Sequence, residues 1–219
     1  MIKGVLLDVD GTLVLSNDAH ARSWVEAFAE HGYEVAFAEV RRLIGMGGDK
    51  LVPSLVPGLS DQAGPGKDIK AARSRLMAEQ YVPKLQPAPG ARALIERLHR
   101  EGLKTVVASS AQSHELEALL EAAKVADLLT EATTSSDVER SKPDPDIVAA
   151  ALQRIGLAAT EVVMLGDTPY DIKAARACGV GLIALRCGGW EDQALGGALA
   201  IYDHPADLLE NYPSSPLAH

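Results

Sequence analysis

The sequence predicts an α/β protein, a parallel sheet core flanked by helices with an all-helical segment inserted after the first strand. Two observations carry that class. Five short apolar runs are near-continuous rather than alternating, as strands buried on both faces of a parallel sheet must be, and helix-like stretches separate them. The stretch from about 15 to 85 breaks this alternation, because it shows helical patterns only.

Taken in order, Val5 to Val9 is the first strand. In the insertion, His20, Trp24 and Phe28 fall at i, i+4 and i+8 in a segment from about Asn17 to His31, ended by Gly32. A second helix covers Glu39 to Ile44 and continues, after Gly45 to Gly48, into Asp49 to Val56; another runs from about Lys67 to Val82. The loop between Pro57 and Gly66 carries two Pro and three Gly, and Pro83, Pro87 and Pro89 mark the return to the core. Pro89-Gly90 then opens a helix that stops at Gly102, before the strand Thr105 to Ala108. Asp144-Pro145 caps a helix ending at Gly156, before Val162 to Leu165, and Thr168-Pro169 starts one ending at Gly179, before Gly181 to Leu185. Leu199 to Tyr202 is a weaker last strand. Such alternation implies right-handed crossovers and a Rossmann-like layered core.

Composition narrows the function. At 219 residues the chain accommodates one core plus a sizeable insertion. Its 47% hydrophobic and 23% charged residues exclude a disordered chain, and no apolar run approaches the ~18 residues of a membrane span. The formal charge of −9 repels a nucleic-acid backbone and leaves small ligands open. Cys178 and Cys187 frame no disulfide network and match no zinc spacing, and Met1 to Gly4 leads into a strand rather than a signal peptide. The expected location is the cytoplasm.

Ligands of open parallel sheets bind at the carboxyl ends of the strands. There the chain places Asp8, Asp10, Gly11 and Thr12, then Ser109 and Ser110, then Lys142 in the loop Ser141-Lys142-Pro143, then Gly166-Asp167 with Asp171 four residues on. Carboxylates two apart in an extended segment lie on one side, ~6.6 Å apart, and repel unless a positive charge stands between them. A hard cation such as Mg²⁺ supplies that charge, and Asp8 and Asp167 suit it as ligands. The metal favours ionisation of its own ligand while like charge raises the pKa of a neighbour, so Asp8 and Asp10 can divide into nucleophile and acid. Lys142 offers a point charge to the oxygens of a phosphoryl group, and Ser109 a hydroxyl.

The ordered set Asp8-x-Asp10-Gly11-Thr12, Ser109, Lys142 and Gly166-Asp167-x-x-x-Asp171 resembles the four motifs of the haloacid dehalogenase superfamily. The likeness is to the branch with a helical cap after strand one, and nearest to phosphoglycolate phosphatase and β-phosphoglucomutase relatives. It implies a catalytic core over residues 1–14 and 85–219 and a cap over 15–84. It further implies that Asp8 is the nucleophile forming an aspartyl-phosphate, Asp10 the general acid and then base, and Ser109 and Lys142 phosphate binders. Mg²⁺ is then held by Asp8, the carbonyl of Asp10 and Asp167, with Asp171 beside it. Thr12 and Ser110 join the phosphate-binding set, and His20 and Lys50 are candidate substrate contacts from the cap. The implied activity is a Mg²⁺-dependent phosphatase acting on a small phosphomonoester.

Other readings have specific counter-signals. Dehalogenases of this fold lack the second aspartate, which is Asp10 here. Phosphonatases carry a Schiff-base lysine in the cap, and Met46 to Lys50 has a similar glycine-to-lysine spacing, but Ser141-Lys142-Pro143 has the phosphatase form. A mutase differs only in keeping water from its phosphoenzyme. Phospho-accepting receiver domains carry their acceptor later in the chain, and a dead binding module would be expected to lose Asp8, Asp10 or Lys142. Two local features complete the reading. Asp171 stands three after Thr168, where a capping box places its acid, and Leu15 stands where many relatives carry an aspartate at the hinge into the cap.

Overall fold

A computed structural model describes residues 1–218. Six parallel strands form one sheet: β1 (Gly4–Leu7), β2 (Lys104–Ala108), β3 (Ala132–Thr133), β4 (Val162–Gly166), β5 (Gly181–Leu185) and β6 (Ala200–Tyr202), in the order β3-β2-β1-β4-β5-β6. Because successive side chains of a strand point to opposite faces, β1 feeds two separate cores. Val5 and Leu7 pack with Leu94, Ile95 and Leu98 of α5 (Ala91–Arg100) and with Leu116, Leu119 and Leu120 of α6 (Ser113–Ala122). Leu6 packs on the other face with Ile147 and Ala151 of α7 (Asp146–Ile155) and with Ile172 and Ala175 of α8 (Pro169–Ala177). A short α9 (Pro205–Glu210) closes the first face through Leu208.

The strand order reverses direction at β1. From β1 the chain builds outward through β2 and β3, then returns to β1's other edge as β4 and builds outward through β5 and β6. A crevice opens at the carboxyl ends of β1 and β4, where crossovers leave in opposite directions. Asp8 follows β1 and Asp167 follows β4, so the switch point sets both beside the same opening.

Between β1 and α5 lie four helices: α1 (Asn17–Glu30), α2 (Phe37–Arg41), α3 (Gly48–Leu55) and α4 (Gly64–Leu76), the last continuing through irregular turns to Lys84. They bury a cluster of their own in which Trp24 and Phe28 pack with Ile44, Leu51, Val52, Ile69 and Leu76. The two rings lie 6.0 Å apart between centroids. Among the described residues no helix is long and apolar enough to cross a membrane.

Several local expectations shift. The first strand ends at Leu7 rather than Val9, because the Val9 carbonyl accepts from the Leu13 and Val14 amides and folds the chain into a tight loop. The last strand starts at Ala200, with Leu199 still 59% exposed. β3 has only two residues, too short for an apolar run to announce it. At the hinge, Leu15 is half-exposed and contributes its backbone, its amide donating to the Gln86 carbonyl at 2.9 Å, while the neighbouring Ser16 and Asn17 supply side-chain bonds to the site.

Candidate active site

The β1 ladder delivers Asp8 to the sheet edge: its amide donates to the Leu165 carbonyl at 2.9 Å, and its carboxylate lies just beyond the strand, 6% exposed. Lys142 reaches it from the loop before α7. The ammonium donates to Asp8 Oδ1 at 2.6 Å and to the Ala108 carbonyl at 2.7 Å, lies 2.8 Å from Asp171 Oδ1, and is 1% exposed. Thr12 Oγ1 sits 3.2 Å from Asp8 Oδ2 and 3.3 Å from Asp167 Oδ1. Asp167 Oδ2 accepts from Asn17 Nδ2 at 2.7 Å. Gly11 has φ +76, and a side chain there would collide with Asn17 and Asp167, so this turn admits only glycine.

Asp171 fulfils two readings at once. Its Oδ2 accepts from the Thr168 amide at 3.0 Å and hydroxyl at 2.7 Å, a capping box at the start of α8, and its Oδ1 faces Lys142. Anchored on both sides, Asp171 orients the lysine.

Asp8, Asp167 and Asp171 bring carboxylate oxygens within 4.8 Å of one another, and one lysine faces the three. Burial first, and the Asp171 and Asp10 charges after it, push the Asp8 carboxyl up to about 7 against the pull of Lys142. Asp167 is raised well above the ordinary carboxylate range by burial and by the Asp8 and Asp171 charges. Burial opposes the charge on Lys142, but Asp171 and Asp8 outweigh it and hold the ammonium above its ordinary value. The single ammonium is shared between Asp8 at 2.6 Å and Asp171 at 2.8 Å, so the three carboxylates together carry negative charge in excess of it. An all-oxygen set of buried carboxylates with excess negative charge fits a hard divalent cation.

Two residues from Asp8, Asp10 has other company. Its Oδ1 accepts from Ser16 Oγ at 2.5 Å and pairs with His20 Nε2 at 2.6 Å. The other ring nitrogen, Nδ1, faces the Arg73 guanidinium, which has only donors. His20 Nδ1 is therefore the acceptor, and Nε2 carries the hydrogen given to Asp10. Arg73 in turn grips both Glu115 oxygens at 2.7 and 2.8 Å, and Ser74 donates to the same carboxylate at 2.7 Å. Burial works against a charge on Asp10, but His20, Ser16 and Arg73 together hold its carboxyl below the ordinary value. The chain Glu115–Arg73–His20–Asp10 runs from α6 through α4 and α1 to the β1 loop, so it exists only when the helical insertion is seated on the core.

A cavity of about 220 Å³ lies between the insertion and the core. Asp8, Asp10, His20 and Ser110 line it, and Ser110 Oγ donates to the Gly45 carbonyl at 3.1 Å. Thr12, Ser109, Lys142, Asp167 and Asp171 are buried off its surface, and Ser109 Oγ accepts from the Ala111 amide at 3.0 Å. Lys50, expected to contact substrate, does not join them. Its ammonium pairs with Asp144 at 2.7 Å, while Asp49 beside it lines the cavity. The sequence reading missed Arg73, Glu115 and Asn17. Only Arg73 had a signal: four residues after Ile69 and three before Leu76, it is a cation on the buried face of α4.

A parallel sheet that gathers aspartates and one lysine at its switch point, beneath a helical insertion, defines an aspartate-centred hydrolase architecture. The chain belongs to the haloacid dehalogenase-like hydrolase family, whose family model matches residues 2–179. It is 31% identical over 216 residues to a phosphoglycolate phosphatase of Rhodospirillum rubrum, covering 95% of this chain and 90% of that protein. It is also 33% identical over 192 residues to Protein SUPPRESSOR OF QUENCHING 1, chloroplastic, of Arabidopsis thaliana, covering 84% of this chain but 18% of that longer protein. Among solved structures, a hydrolase from Pseudomonas syringae matches with a TM-score of 0.90 at 30% identity, covering 97% of this chain and 98% of that one.

Proposed function

We propose that this hydrolase is a Mg²⁺-dependent phosphatase that cleaves a small phosphomonoester through an aspartyl-phosphate on Asp8. The observation that carries the reading is the opposite treatment of two neighbouring carboxylates, Asp8 bound to Lys142 at 2.6 Å and Asp10 bound to His20 at 2.6 Å, both opening on one cavity. The name of the Rhodospirillum rubrum relative supports phosphate ester chemistry.

In this reading Asp8 and Asp167, with the Asp10 carbonyl, would hold the cation, which when bound neutralises their charge and attracts a phosphate oxygen. Lys142, buried behind Asp8 and positioned by Asp171, would supply a fixed positive charge to the phosphoryl group through the Asp8 side of the site. An Asp8 oxygen attacks phosphorus, the ester P–O bond breaks, and the leaving oxygen takes a proton from Asp10. A phosphate dianion arriving beside Asp10 raises its proton affinity, which readies it for that transfer. Water then attacks the aspartyl-phosphate and gives a proton to Asp10; the Asp8–phosphorus bond breaks and phosphate leaves. His20 and Ser16 hold one Asp10 oxygen, leaving the other for the proton in both steps. Residues 15–84 serve as the cap that excludes bulk water. The reading includes a cytoplasmic location.

Phosphate release from a panel of sugar phosphates and phosphoglycolate, with Mg²⁺ and with EDTA, tests this directly. Turnover that needs Mg²⁺ and yields free phosphate is expected; transfer of the phosphoryl group to a second position on the sugar would replace hydrolysis with a mutase reaction.

A further inference from the structure

The part of the cavity lining other than Asp8 and Asp10 is available to meet the alcohol part of an ester. Its charged residues are the carboxylates Asp49, Asp61, Glu115 and Glu139 and the cations Lys70 and Arg73. Both cations are already engaged. Arg73 holds Glu115 and His20. Lys70 Nζ lies 2.6 Å from Asp61 Oδ2, and Asp61, in the loop before α4, is 5% exposed. It sits close to Gly48, where an added methyl would stand 3.2 Å from the same Asp61 oxygen. Gln62 also donates to Oδ2, at 3.2 Å, whereas Oδ1 receives no hydrogen bond among the described residues.

We propose that Asp61 is a specificity-determining residue: it withholds Lys70 from the ligand and restricts the site to esters of uncharged, hydroxyl-bearing alcohols. The inference rests on the phosphatase reading above and narrows its substrate class. An ionised carboxylate is an acceptor only, so a substrate hydroxyl can donate to Asp61 Oδ1 while a substrate carboxylate or second phosphate cannot. Such an acidic group would also enter a wall with two carboxylates more than cations, and like-charge juxtaposition rejects it. This departs from the substrate that the name of the Rhodospirillum rubrum relative gives for that protein.

The test compares kcat/KM for matched esters on the Mg²⁺-loaded protein: 2-hydroxyethyl phosphate against phosphoglycolate, and glycerol 3-phosphate against 3-phosphoglycerate, with p-nitrophenyl phosphate as a general reporter. The neutral member of each pair is expected to be favoured by about tenfold or more. Asp61→Asn frees the lysine and should lower KM for the acidic members, shrinking that ratio by about tenfold, whereas Lys70→Gln should widen it. A wild-type preference for the acidic members overturns the proposal, as does a ratio that neither variant moves. Hydrolysis of p-nitrophenyl phosphate with an acidic preference removes the inference and keeps the phosphatase reading; no hydrolysis of any ester removes both.

Discussion

Asp8 and Asp10 belong to one five-residue motif, yet the fold gives them opposite chemistry. Asp8 is surrounded by core residues, Lys142, Asp167 and Asp171, and burial among like charges lifts its carboxyl to about 7. Asp10 is surrounded by the insertion: Ser16, His20 and, behind the imidazole, Arg73 hold it below the ordinary range. The difference teaches that the core half of the site is held mainly by strand ends, the Lys142 loop and α8 of the core, with Asn17 reaching in from α1, while the other half depends on the helical insertion being seated. Perturbing each half separately should give distinct signatures.

The largest effect is expected from Lys142→Met. Removing one partner of a fully buried ion pair leaves Asp8 and Asp171 unmatched, and about 3–5 kcal/mol of stability should be lost, read by urea unfolding without added metal. A loss under about 1 kcal/mol would mean that Lys142 does not carry the core half.

On the insertion side, His20→Ala and Arg73→Ala should lower kcat by about 10²-fold, the order of general acid–base catalysis. Without His20 the burial effect on Asp10 is no longer outweighed, so its carboxyl rises, and because Asp10 must be protonated to act as the acid, the alkaline limb of kcat/KM should move to higher pH. An alkaline limb that stays in place would separate His20 from Asp10.

Metal binding probes the core half by pH. A carboxyl whose folded pKa is raised binds more protons folded than unfolded, so without metal this group adds stability as pH falls from about 7 toward the ordinary carboxylate value. A cation has to displace that proton. The rise in Tm produced by Mg²⁺ should therefore be largest above pH 7 and shrink as pH falls below it. A pH-independent increment would place the cation away from Asp8.

The smallest effect is expected at the hinge. Leu15 is 42% exposed and bonds through its backbone, so Leu15→Asp should change stability by no more than about 0.5 kcal/mol in thermal unfolding, because Ser16 already supplies the side-chain bond to Asp10. A large gain in activity would show that the missing carboxylate matters.

Physical reasons separate what the sequence disclosed from what it concealed. Asp8 and Asp167 were legible because each follows an apolar run that can only be a buried strand, and a carboxylate there needs a partner. The layered fold was legible for the same reason, except β3, whose two residues carry no periodicity. Arg73 and Glu115 were concealed because their meeting joins positions 42 apart across two separately packed clusters, a tertiary fact that no local pattern encodes. The partner of Lys50 was concealed too, because glycine-to-lysine spacing does not say that its ammonium pairs with Asp144, 94 positions on.

The division of labour between the two aspartates is tested most directly by a rapid-quench experiment with Asp10→Asn and p-nitrophenyl phosphate. This leaving group departs without protonation, so Asp8 can still be phosphorylated while the water step stalls. A burst of about one equivalent of p-nitrophenolate, with the phosphoryl group found by mass spectrometry on Asp8 and absent in Asp8→Asn, is the predicted result. A phosphoryl group on any other residue, or phosphate release that persists in Asp8→Asn, would contradict it.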